Sequence, residues 1–242
     1  MSAATAPAVS FDERAATWDA DPRRHALTED IAREIIRTVP LSPHHDVLDY
    51  GCGTGALAFQ LLPRVREIVA ADSSPGMIAE VRRKLALAAR PRPGTPPRAP
   101  LRLHPLVLDL TRTPPLPRRF HLVIASLVLH HVPNPASLLA SFARMLAPDG
   151  WLVIVEWSDA IDPDDLLARP NLRPASRGFT PDALASLAAK AIEPAAVAWR
   201  TLHHFPRDDG TLSAAFLLRA HRLPPTVCPA IACGSGPSGT GT

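Results

Sequence analysis

The feature that most constrains the fold is an apolar run that leads into three glycines at alternate positions and then into a helix-forming stretch. Val47-Leu48-Asp49-Tyr50 is followed by Gly51-Cys52-Gly53-Thr54-Gly55, and helix-forming residues continue from Ala56 to Leu62. A residue without a Cβ atom lets the backbone turn tightly and approach a ligand closely. The order of strand, glycine turn and helix therefore predicts the first unit of an α/β fold, with a ligand crevice beside the turn.

Further strands and helices alternate along the chain. Nearly continuous apolar runs are typical of parallel strands that are buried on both faces, and four such runs follow the glycine turn, at 67–71, 103–108, 120–125 and 151–155. Ser74, Asn134 and Thr180 each precede a proline, as helix-capping side chains do. These caps predict helices over 75–89, 135–147 and 181–192.

The last part of the alternating region predicts a hairpin. Val197–His203 and Leu212–Leu218 flank Asp208-Asp209-Gly210, which is an antiparallel turn signal. We therefore predict an α/β fold with a doubly wound, mostly parallel seven-stranded sheet and an antiparallel C-terminal hairpin strand.

Four segments define the predicted domain organisation. We expect a flexible N-terminus over 1–10, one domain over 11–222, and a disordered tail over 223–242 that is rich in small and polar residues. Residues 90–100 contain five prolines in eleven positions, which predicts a loop insertion within the domain rather than a boundary.

Composition narrows the class of protein. No apolar run reaches the ~18–20 residues of a membrane helix, the first ten residues lack the pattern of a secretory signal, and three cysteines cannot form a disulfide framework. The net charge of +3 comes from scattered arginines rather than a basic patch, which argues against nucleic acid as a partner. The sequence predicts a soluble, cytoplasmic protein without a metal site.

Acidic residues at the ends of the next two strands strengthen the glycine signal. Asp72 ends the second predicted strand and Asp109 ends the third, and ligands of doubly wound sheets bind outside these strand ends. Each acid alone has the ordinary interpretation of a cap or turn residue. Together with Asp49 they favour a nucleoside site. The spacing G-x-G-x-G, with an acid before it, favours a nucleoside that carries an amino acid over a dinucleotide, whose fingerprint is G-x-G-x-x-G.

These segments resemble a known family. Asp49 to Gly55 resembles motif I of the class I S-adenosylmethionine-dependent methyltransferases, and Asp72-Ser73-Ser74-Pro75-Gly76-Met77 resembles their acidic ribose-binding loop. Ser126 to Val132 and Leu146 to Trp151 resemble segments of the small-molecule branch, which includes the ubiquinone/menaquinone C-methyltransferase-like proteins. Phe11 to Asp19 resembles the N-terminal helix of that branch, which usually covers the substrate side.

The resemblance implies S-adenosylmethionine as the co-substrate and a small molecule as the methyl acceptor, with no metal. It also implies a cofactor-binding set, which is Asp49, Gly51, Cys52, Gly53, Asp72, Ser73, Met77, Asp109, Leu110 and Ser126. Of these, Asp49, Gly51 and Gly53 contact the methionine part, with Ser126 near the methionine end. Asp72 holds the ribose, and Ser73, Met77, Asp109 and Leu110 lie around the adenine.

Two histidines follow the fourth predicted strand. His131, and as an alternative His130, is a candidate general base for an acceptor hydroxyl or amine, because imidazole titrates near neutral pH. The competing interpretation is one packed ring and one surface ring. Two further functions stay open: a catalytically silent S-adenosylmethionine-binding module that serves as a partner subunit, and a nicotinamide-dependent oxidoreductase. The sequence identifies neither the acceptor nor the oligomeric state.

Overall fold

The sheet is the central element of the computed structural model, which describes residues 10–90, 101–158, 178–206 and 212–224. Its strands are β1 Asp46–Tyr50, β2 Glu67–Asp72, β3 Leu103–Val107, β4 Phe120–Ser126, β5 Leu146–Trp157, β6 Ala195–Pro206 and β7 Leu212–Arg222. The spatial order is β3-β2-β1-β4-β5-β7-β6. The first five strands pair in parallel, and β7 pairs antiparallel with both β5 and β6. This confirms the predicted fold class.

Helices flank the sheet, and short 3₁₀ turns join several of the elements. The α-helices are α1 Phe11–Arg14, α2 Pro22–Thr38, α3 Ala56–Leu61, α4 Pro75–Ala88, α5 Pro135–Met145 and α6 Pro181–Ile192. The 3₁₀ turns are Ala15–Ala20, Leu62–Arg64 and Leu129–His131. All three predicted caps are present, because the side chains of Ser74, Asn134 and Thr180 each accept a hydrogen bond from a backbone N–H in the first helical turn.

Two hydrophobic clusters cover the two faces of the sheet. Phe142 of α5 and Leu184 of α6 belong to one cluster, and Ile35 of α2 and Leu61 of α3 belong to the other. Adjacent residues of β1 alternate between the clusters, as the period of a strand requires. The helices therefore lie on both faces and leave the carboxyl ends of the strands free for a site.

Some boundaries differ from the prediction. Helix α5 ends at Met145, and β5 starts at Leu146 instead of 151, because Leu146 pairs with Phe120 across the ladder before the register shifts. Strand β3 ends at Val107, so Asp109 lies two residues beyond it.

Several predictions fall outside the described residues. They concern the first nine residues, the proline-rich segment from 91, the hairpin turn at 208–210 and the tail from 225. The predicted domain boundaries therefore remain predictions. Among the helices that the structure describes, none combines the length and apolar character needed to cross a bilayer.

Candidate functional site

The glycine turn between β1 and α3 has a backbone that other residues adopt only with strain. Gly51, Gly53 and Gly55 have φ angles of 70°, 55° and 81°, all in the left-handed region. A Cβ atom at Gly51 would lie 2.2 Å from Cγ2 of Val128, whereas at Gly53 its one neighbour within 4 Å in the described part of the chain would be Nε1 of Trp18, at 3.9 Å. The turn is thus packed against the β4 side and remains an open cradle at Gly53.

Asp49 lies under this cradle with an unsatisfied carboxylate oxygen. Asp49 is 1% exposed, and its Oδ2 has no hydrogen-bond partner among the residues that the structure describes. Burial and the nearby charge of Asp72 raise the pKa of Asp49 to about 7. A buried polar atom without a partner is uncommon in proteins, and this oxygen can accept a hydrogen bond from a cationic donor such as an ammonium group.

Asp72, at the end of β2, joins the glycine turn to the next loop. Its Oδ2 accepts from the Gly53 N–H at 2.9 Å, and its Oδ1 accepts from the Ser74 N–H at 2.8 Å. Burial raises the pKa of Asp72, against the opposing effect of these backbone hydrogen bonds. The charge of Asp72 acts on Asp49, so these two of the three predicted strand-end acids lie close together.

The remaining cofactor-site candidates lie in different environments, at or beyond the carboxyl ends of the strands or in the glycine turn. Oδ1 of Asp109 accepts from the N–H and the hydroxyl of Thr111, at 2.9 and 2.6 Å, which is the ordinary behaviour of a turn residue. The Leu110 N–H donates to the Tyr50 hydroxyl at 3.1 Å.

The other candidates differ mainly in exposure. Ser73 is exposed, Met77 is buried in the first turn of α4, and Cys52 and Ser126 are half-buried. Burial raises the pKa of the Cys52 thiol, which keeps it protonated. The individual contacts of these residues with a cofactor remain proposals.

Residues 11–20, which we call the cover segment, lie across both loops. The carboxylate of Asp12 accepts from the Ser74 hydroxyl at 2.5 Å and from the Gly76 N–H at 2.6 Å. Asp19 accepts from the Thr54 hydroxyl at 2.6 Å and pairs with Lys84 at 2.6 Å. The cover segment is thus attached to the acidic loop at one end and to the glycine turn at the other.

The turn after β4 closes the other side of the crevice. Leu127 has a φ of 57°, which is strained for a residue with a side chain. The rings of His130 and His131 lie 4.0 Å apart between centroids, and the His131 ring forms a T-shaped pair with Phe11 of the cover segment at 5.4 Å between centroids. Burial and the neighbouring His130 lower the pKa of His131 to about 3.

Sequence reasoning missed Glu156, which lies near the end of β5 and is fully buried against His130. It also missed Lys84, whose ammonium group binds the Thr54 carbonyl oxygen at 2.9 Å as well as Asp19. The available signal for Glu156 was a glutamate at a strand end after an apolar run. No local pattern along the sequence marks Lys84.

The arrangement fits the predicted cofactor. The glycine cradle admits close approach, Asp49 offers an unpaired acceptor for an ammonium group, and Asp72 offers a carboxylate for ribose hydroxyls. Within the described ranges, no group of three or more His, Cys, Asp or Glu side chains is placed to hold a metal ion.

Comparisons with known proteins agree with this geometry. A family model described as a methyltransferase domain matches residues 23–191. A trans-aconitate 2-methyltransferase of Methylobacterium nodulans is 34% identical over 140 residues, which are 57% of this chain and 48% of that protein. A malonyl-[acyl-carrier protein] O-methyltransferase of Halorhodospira halophila is 31% identical over 153 residues, which are 59% of this chain and 48% of that protein.

One solved structure extends the likeness to the whole fold. The N-methyltransferase NodS of Bradyrhizobium japonicum, in complex with S-adenosyl-L-homocysteine, superposes with a TM-score of 0.57 at 16% identity. The match covers 87% of this chain and 87% of that chain. The present chain spans about half the length of the two curated relatives.

Proposed function

The chain belongs to the methyltransferase domain family, and from this premise we propose that it transfers a methyl group from S-adenosylmethionine to a small-molecule acceptor. The observation that carries the proposal is the buried, unpaired oxygen of Asp49 beneath a glycine cradle, with Asp72 beside it. A ligand with an ammonium group and a ribose satisfies both acids at once. S-adenosylmethionine has both groups.

The chain's own residues account for binding and orientation. Asp49 receives the ammonium group, Asp72 receives the ribose hydroxyls through charge-assisted hydrogen bonds, and the cradle at Gly53 accommodates the methionine chain. S-adenosylmethionine supplies a methyl group on a sulfonium, which needs only in-line approach of the acceptor. Positioning therefore provides most of the catalysis.

The acceptor lies between the cover segment and the turn after β4 in this proposal. Phe11, Trp18 and His131 offer aromatic surface there, which suits an acceptor with an apolar part. His131 and His130 remain the candidates for a general base. With a pKa of about 3, His131 is neutral near pH 7 and accepts a hydrogen bond more readily than a proton.

Two measurements test the proposal. Titration calorimetry should detect binding of S-adenosylhomocysteine and little binding of nicotinamide dinucleotides. Incubation of the purified protein with labelled S-adenosylmethionine and an acceptor panel that includes trans-aconitate and small-molecule cell extract should then yield S-adenosylhomocysteine and a labelled product. Binding without product across the panel would favour the silent binding module, and tighter binding of a nicotinamide cofactor would contradict the proposal.

A further inference from the structure

Glu156 is a buried acid whose surroundings satisfy it completely, although it belongs to none of the cofactor loops. Its Oε1 accepts from the N–H groups of Leu129 and His130, at 2.6 and 3.3 Å. Its Oε2 accepts from the Trp157 N–H at 3.2 Å and lies 2.8 Å from Nδ1 of His130. A side chain with 0% exposure thus binds two backbone groups of the 3₁₀ turn and the ring of one of its histidines.

These partners determine which nitrogen of His130 carries a proton. Three backbone N–H groups point at the two oxygens, so both oxygens act as hydrogen-bond acceptors. Nδ1 of His130 is therefore the donor in its contact with Oε2. Nε2 is the ring nitrogen that Glu156 does not contact.

The same turn is a wall of the proposed site. Val128 packs on Gly51, so closely that a Cβ atom there would overlap its side chain. The His130 ring lies against the His131 ring, which in turn meets Phe11 of the cover segment. Because Leu127 has a strained backbone, the turn needs an anchor that outweighs this strain, and Glu156 provides two of its hydrogen bonds.

We propose that Glu156 is a positioning residue for methyl transfer: it anchors the 129–131 turn and keeps Nδ1 of His130 protonated, so that both imidazoles face the acceptor side in fixed orientations. The expected effect of Glu156 on turnover rests on the proposed function. The expected effect of Glu156 on the ring nitrogens of His130 does not depend on that function.

The first test is a nuclear magnetic resonance measurement on the wild-type protein with ¹⁵N-labelled histidine. The His130 signals, assigned by their loss in His130→Gln, should show a protonated Nδ1 at pH 7. In Glu156→Gln the side-chain amide offers one acceptor instead of two, and the His130 signals should move toward the form protonated only at Nε2. A wild-type ring without a proton on Nδ1, or an unchanged ring in the variant, would overturn the proposal.

The second test compares Glu156→Gln with Glu34→Gln. Glu34 is also buried and pairs with Arg37 and Arg200, on helix α2 and strand β6. We expect Glu156→Gln to lower turnover in the labelled-cofactor assay at least tenfold, with S-adenosylhomocysteine affinity within threefold of wild type, and Glu34→Gln to change neither. Equal turnover in the two variants would contradict the positioning role. If the wild-type protein forms no product, the proposed function fails, and the resonance test still decides the role of Glu156 at the turn.

Discussion

Under the proposed function, Asp49 couples cofactor binding to proton release. In the cofactor-free protein its pKa of about 7 means that the carboxyl holds a proton below neutral pH. An ammonium group beside Oδ2 favours the carboxylate, so binding must expel that proton. We expect the affinity for S-adenosylhomocysteine to fall about tenfold per pH unit below 7. Calorimetry at pH 6 in buffers of different ionisation enthalpy should report about one proton released per binding event.

Asp49→Asn is the matched control for this coupling, because it keeps the shape of the side chain and removes its titration. The variant should bind S-adenosylhomocysteine more weakly at pH 8 and release no proton at pH 6. Unchanged proton release in Asp49→Asn would assign the coupling to another group.

Asp72 provides a second prediction at this scale. Asp72→Ala removes the proposed acceptor for the ribose hydroxyls and should weaken S-adenosylhomocysteine binding by about 1–3 kcal/mol. It also removes the acceptor of the Gly53 and Ser74 N–H groups, so a small fall in melting temperature is expected. Asp30→Ala, at an ion pair on the outside of α2, is the control. A large fall in melting temperature with normal binding would make Asp72 a structural residue.

The role of a single residue was predictable where the residues that define that role are adjacent to it in the sequence. Asp49 and Asp72 are marked by the glycines and the strand ends beside them, and the caps Ser74, Asn134 and Thr180 are marked by the following proline. The burial that raises the pKa of Asp49 depends on packing, and no pattern along the chain reports it.

At the scale of elements, the cover segment should slow cofactor release. Lys84 bridges Asp19 of that segment and the carbonyl of Thr54 in the glycine turn. Partly exposed ion pairs contribute about 0.2–1 kcal/mol. Lys84→Met keeps the length of the side chain and removes its charge, and it should therefore raise the dissociation rate of S-adenosylhomocysteine by roughly 1.5- to 5-fold. Stopped-flow tryptophan fluorescence measures this rate.

Lys190→Met is the control for this experiment, because Lys190 is the chain's other lysine and lies on α6. It should leave the dissociation rate unchanged. An equal rate in wild type and Lys84→Met would show that the cover segment does not retain the cofactor through this contact.

The helices and strands were predicted well from the sequence, but the side-chain contacts that join one element to another were not. The strands, the capped helices and the antiparallel hairpin follow from periodicity and turn residues. The contacts of Asp12 and Asp19 join residues that are 62 and 35 positions apart. The anchor of His130 on Glu156 spans 26 positions. Such pairings depend on how the layers stack, which the local sequence does not encode.

At the scale of the whole molecule, the two buried acids of β1 have opposite effects on stability. Burial disfavours the charged form of Asp46 at the start of the strand. The hydrogen bonds and charges of Arg66 and Arg118 outweigh this effect of burial and lower the pKa of Asp46. Its charge therefore stabilises the folded state above the ordinary pKa of an aspartate, and this contribution is lost in acid. No cation among the described residues opposes the burial of Asp49, near the other end of β1, and the pKa of Asp49 is raised.

The cofactor-free protein should therefore become more stable when Asp49 is replaced. Between about pH 4 and 7 the unfolded chain loses the Asp49 proton while the folded chain keeps it, so the free energy of unfolding falls as pH rises through this window. We expect Asp49→Asn to raise the melting temperature, with a gain that grows from pH 5 to about 7 and then levels off. Asp46→Asn should lower the melting temperature at pH 7. Differential scanning fluorimetry from pH 5 to 8 measures both, and a lower melting temperature of Asp49→Asn at pH 8 would show that the fold stabilises that carboxylate without a cofactor. Under the proposed function, the ammonium group of the cofactor supplies the cation that Asp49 lacks in the cofactor-free fold, so cofactor binding stabilises the folded protein.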